Sequence, residues 1–91
     1  MSLFSKLFGG SGPKENAAQS EDHKGFQITP VPIREGSKHR ISARIEKEIN
    51  GTLEQHTLIR ADVMDSYEDA VDASLRKAKQ MIDEQGERIF S

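Results

Sequence analysis

The chain has 91 residues, no cysteine, and 13 basic against 15 acidic residues, for a formal net charge of −2. That length gives room for one domain, the missing cysteines exclude disulfides and thiolate zinc sites, and the charge offers no global attraction for nucleic acid. No apolar run approaches the roughly 20 residues needed to cross a bilayer, and the opening residues lack a signal peptide's charged leader, so a cytoplasmic location is expected.

Residues 1–8 form a short amphipathic segment. Leu3 and Leu7, and Phe4 and Phe8, stand at i, i+4 on one helical face. This is a candidate docking hook for a partner groove. With one lysine and two turns of helix it would bind lipid only weakly, so membrane contact is not expected. Residues 9–22 hold no large apolar side chain and read as a flexible linker, because such a stretch cannot offset its ordering entropy. The folded domain is then residues 23–91, a size at which a single core is marginal. Self-association into a homodimer is a support the sequence leaves open.

Gly25 to Ile33 is the first strand candidate, with Phe26 and Ile28 alternating before Pro30 and Pro32. The prolines lack ladder donors, which predicts an edge strand ending near Pro30. Arg34 to Lys38 reads as a turn. The second strand, His39 to Ile49, sets Ile41, Ala43 and Ile45 on one side and Arg40, Ser42 and Arg44 on the other. The third, Thr52 to Val63, groups Leu53, Gln55, Thr57, Ile59, Ala61 and Val63 against Glu54, His56, Leu58, Arg60 and Asp62. Asn50-Gly51 between them marks a hairpin. A two-residue loop would put the apolar rows of the two strands on opposite faces. A three-residue loop with Gly51 left-handed pairs Glu48 with Thr52 and Ile41 with Ile59, and is the expected turn.

The last element is a helix with Ser66 as N-cap, Asp69 three residues on, and Gly86 as the stop. Tyr67, Val71, Leu75, Ala78 and Ile82 form its apolar stripe, and Ile89 and Phe90 are expected to fold back on the core. The architecture is thus α+β: a three-stranded antiparallel sheet, in the order β-β-β-α, with one C-terminal helix packed on one face.

Constellations that carry catalysis are absent. His23, His39 and His56 are not spaced as metal ligands, no glycine-rich loop joins a strand to a helix, and no serine or threonine has a base and orienter. A non-catalytic binding module is expected, with no cofactor and no small-molecule substrate. The charge is uneven, however. Residues 24–60 hold seven basic side chains against four acidic, while residues 61–91 hold four against eight. In the expected register Arg40, Arg44, His56 and Arg60 cluster around an exposed Leu58, a candidate face for an anion, nucleic acid or partner protein. Reading DNA with a helix-turn-helix is disfavoured by the single helix with its acidic first turn, so a β-ribbon is the better candidate.

Four ordered segments resemble the small bacterial HlyU family: Lys24-Gly25-Phe26-Gln27-Ile28-Thr29-Pro30, Ile45-Glu46-Lys47-Glu48, Ile59-Arg60-Ala61-Asp62, and Lys79 through Gly86. The N-terminal Leu-Phe-x-x-Leu-Phe-Gly-Gly, Leu3 to Gly10, is similar to that family as well. The resemblance implies a cytosolic, transcription-associated regulator, an activator of haemolysin expression, whose partner is DNA or another regulatory protein.

Overall fold

The structure, a computed structural model, describes residues 18–91. The hook at Leu3, Phe4, Leu7 and Phe8, and the linker as far as residue 17, lie outside the described residues. In chain order the elements are β1 (Glu21–His23), β2 (Phe26–Pro30), β3 (Ile33–Glu35), β4 (Lys38–Ile49), β5 (Thr52–Met64), α1 (Tyr67–Gln85) and a 3₁₀ turn (Gly86–Phe90). The α+β class is as the sequence predicts, with five antiparallel strands in place of three.

Both additional strands come from tight turns. Lys24 and Gly25 both have positive φ, 53° and 86°, which the two-residue hairpin between His23 and Phe26 needs. β1 therefore occupies Glu21–His23, partly inside the stretch read as linker, and the Ala18 amide donates to the Pro30 carbonyl at 2.9 Å. Gly36, at φ 64°, turns β3 back onto β4, where Glu35 faces Lys38. With β1 on one side and β4 on the other, β2 is internal and not the expected edge. The β1 ladder stops at Ile28, two residues short of Pro30, so the proline removes no donor from it.

The hairpin register also differs from expectation. Ile49 faces Thr52 across a two-residue loop in which Asn50 (φ 54°) and Gly51 (φ 82°) are both left-handed, as a type I′ turn requires. Ala43 then faces Leu58 and Ile45 faces His56. The prediction failed because it assumed that both strands bury their longer apolar row. The helix lies chiefly over β4 and β2, so β5 sits at the margin of its cover, and the local geometry of Asn50-Gly51 decides the register. Further along, Ser42 faces Ile59 but Arg40 faces Val63. Residues 60–62 thus stand against Ile41 alone, a bulge with two extra residues on β5.

The core lies between sheet and helix: Phe26, Ile28, Ala43, Ile45, Leu58, Ala78, Ile82 and Ile89. Ser66 accepts from the Asp69 amide at 3.0 Å, and Gly86, at φ 58°, donates back to the Ile82 carbonyl. The helix centre line on the sheet is Ala70, Ser74, Ala78 and Ile82, while the expected Tyr67, Val71 and Leu75 are half-buried flanks. Small residues at the centre let the helix approach the sheet closely. There Ser74 Oγ donates to the Ala70 carbonyl (2.6 Å) and accepts from the Ser42 amide (3.1 Å), satisfying a fully buried backbone donor. Ile89 is buried, and the Phe90 ring stacks on Phe26 at 6.0 Å, closing the core as expected.

Candidate interaction face

The turn at Asn50-Gly51 determines which side chains share a face. Alternation from Ile49–Thr52 sends Ala43, Ile45, His56 and Leu58 toward the helix. The opposite face of the sheet carries Gln27, Thr29, Ser42, Arg44, Glu46, Glu48, Leu53, Gln55, Thr57 and Ile59. Past the bulge, Arg40 returns to this side between Ile33 and Val63. All four large apolar side chains that are exposed among the described residues lie here: Ile33, Leu53, Ile59 and Val63, the middle two at 56%. No described element covers that face.

The five residues expected to form one face are therefore divided. Leu58 is 4% exposed and belongs to the core, and His56 is half-buried beside it. Arg40 and Arg44 are on the open face, and Arg60 is exposed in the bulge. The one-residue difference in loop length moved His56 and Leu58 away from the arginines. The same three-residue turn would have turned Leu53, Ile59 and Val63 toward the core.

Arg40 is held by its own chain. Its Nε and Nη2 donate to the two Glu35 carboxylate oxygens at 2.5 and 2.8 Å, and Nη1 donates to the carbonyls of Arg60 and Ala61 at 3.2 and 2.9 Å. The guanidinium thereby satisfies carbonyls that the bulge removes from the ladder. It also holds the Glu35 carboxyl below its ordinary range, chiefly by hydrogen bonding. Lys38 does the same to Asp65 at the foot of the helix. Arg44 stands among Thr29, Glu46 and Thr57, with Glu48 beyond, so the open face mixes charge signs and presents no cationic track.

The reverse side carries ion pairs that fasten β1 and its turn to the helix. Lys79 meets Glu21 at 2.5 Å, and both Lys24 and His23 Nε2 reach Asp83 at 2.9 Å. Lys24, and then His23, lower the Asp83 carboxyl below its usual range. Lys47 pairs with Glu87 at 2.9 Å and lies 4.6 Å over the Phe26 ring. Among the described residues no group of three His, Asp or Glu side chains is arranged to hold a metal. No described helix is long and apolar enough to cross a membrane.

A family model described as "Transcriptional activator HlyU" matches residues 2–90. No curated protein and no solved structure matches the chain. With a match over essentially its whole length, the chain belongs to the HlyU family of transcriptional activators.

Proposed function

We propose that the chain is a non-catalytic module of transcription regulation that acts by contacting another regulatory protein through the open face of its sheet. The observation that carries this reading is the gathering of Ile33, Leu53, Ile59 and Val63, exposed, on one side that no described element covers. Exposed apolar side chains gathered on one face suit a protein partner. Phosphate binding needs free cations along a track. Here Arg40 is committed to Glu35 and the bulge carbonyls, and Arg44 is flanked by Glu46 with Glu48 beyond.

Two measurements test the proposal. Fluorescence-anisotropy titration with mixed genomic DNA fragments, at low and physiological salt, is expected to show no saturable binding. Saturable binding that weakens steeply with salt would overturn the protein-contact reading in favour of DNA. Complementation of a deletion strain, read by transcript profile, is expected to fail for Ile59→Ser/Val63→Ser while the purified variant keeps its fold. Full complementation by that variant would remove the open face from the activity.

A further inference from the structure

The outer edge of β5 is the longest unpaired sheet edge among the described residues. The strand runs 13 residues, pairs with β4 alone, and has nine exposed residues. Natural sheets ordinarily protect such an edge, because its free amides and carbonyls recruit another strand. The type I′ turn tells which groups are free. Ile49 and Thr52 exchange hydrogen bonds at the turn, so Thr52, Glu54, His56 and Leu58 direct their amides toward β4. Leu53, Gln55, Thr57 and Ile59 direct theirs outward.

Glu54 stands opposite Lys47 on β4, but the Lys47 ammonium is taken by Glu87 at 2.9 Å. Neither Glu54 nor Arg60 has a hydrogen bond or ion pair from its side chain among the described residues, although most other charged side chains near the sheet are matched. The two are six positions apart in the sequence, equally spaced about Thr57, with Arg60 at the start of the bulge.

We propose that the chain forms a twofold homodimer in which β5 pairs antiparallel with β5 of a second copy, with Thr57 on the axis. In that register Thr57 meets Thr57 of the second copy, and Gln55 meets Ile59 of the second copy, joined by about six backbone hydrogen bonds. Glu54 then stands opposite Arg60 of the second copy, twice by symmetry. Other symmetric registers lose this match. An axis at Leu58 sets Glu54 against Asp62, and one at Arg60 sets that arginine against itself. On the open face Leu53 and Ile59 of opposite copies become diagonal neighbours, close enough to shield each other. The bulge begins just past Ile59, so the backbone pairing is confined to residues 55–59 and Arg60 meets Glu54 by its side chain at each end of the junction. The helix is seated chiefly over β4 and β2 and, like the 3₁₀ turn, touches β5 less, which leaves its outer edge accessible.

Sedimentation equilibrium of the full chain over micromolar to millimolar concentration tests the proposal. The expected result is a concentration-dependent mass approaching twice the 10.2 kDa monomer. Thr57→Pro removes an outward amide at the axis without touching the β4 ladder, and is expected to leave a folded monomer. Glu54→Arg and Arg60→Glu, each alone, place like charges opposite one another and should weaken the dimer about tenfold. The double variant Glu54→Arg/Arg60→Glu should restore it. A chain that stays monomeric throughout, or a dimer indifferent to Thr57→Pro and to the charge reversals, would overturn the proposal. The charge reversals leave Ile33, Leu53, Ile59 and Val63 unchanged, so loss of the dimer and failure of the open-face contact are distinguishable.

Discussion

Strands β4 and β5 lie side by side over nearly equal lengths and share a turn, yet β4 contains four buried residues and β5 one. Both sequences alternate apolar and polar side chains. In β4 the row Ile41, Ala43, Ile45 meets the helix and is buried. In β5 the corresponding row Leu53, Ile59, Val63 points the other way and stays exposed. Alternation reports a strand's two faces, not which face becomes core. Helix cover decides that for β4, and for β5 the backbone geometry of Asn50-Gly51 decides it.

Substitutions in the two strands should divide the same way. Ile45→Ala, at a fully buried site in β4, is expected to cost about 3 kcal/mol in denaturant unfolding. Leu58→Ala, the buried exception in β5, should cost about 2 kcal/mol. A loss below about 0.5 kcal/mol at Leu58 would break the comparison, because β5 would then contribute nothing to the core. Ser74→Ala orphans the buried Ser42 amide and should cost about 1–2 kcal/mol in the same assay. Gly51→Ala strains a φ of 82° and should cost about 1 kcal/mol. Ile59→Ser, on the exposed row, should move stability by less than about 0.5 kcal/mol.

A pH effect follows from the ion pairs of the β1 turn. Folding lowers the Asp83 carboxyl pKa, first through Lys24 and then through His23. A lowered carboxylate stabilises the fold above its unfolded value of about 3.9, and that contribution is lost as pH falls through the folded value. A carboxyl-detected NMR titration should place the Asp83 midpoint below that of Asp83 in the unfolded chain. Lys24→Ala should raise the midpoint, and the effect on stability should be small because the pair is exposed.

Much of the fold was legible where local chemistry is unambiguous. Ser66 with Asp69 gave the helix start, Gly86 its end, and Asn50-Gly51 the location of the hairpin. What escaped was set by tertiary context or by weaker turn signals. Lys24-Gly25 is a less recognisable left-handed pair than Asn-Gly, so Glu21 and Asp22 of β1 fall in the stretch that reads as linker. The two-residue loop was set aside because an edge strand beyond the helix could not be told from one beneath it. That single choice displaces the candidate face: Arg40 and Arg44 share the open side, while Leu58 and His56 turn toward the helix. The bulge at residues 60–62 has no clear sequence signal, and with it the internal role of Arg40 was hidden.

The most direct test of this account is thiol labelling of single-cysteine variants along β5, made simple by a chain that has no native cysteine. Slow, unfolding-limited labelling is expected for Leu58→Cys and fast labelling for Leu53→Cys and Ile59→Cys. Fast labelling at position 58 with protection at 53 and 59 would contradict it, returning the hairpin to the three-residue turn and the open face to the core.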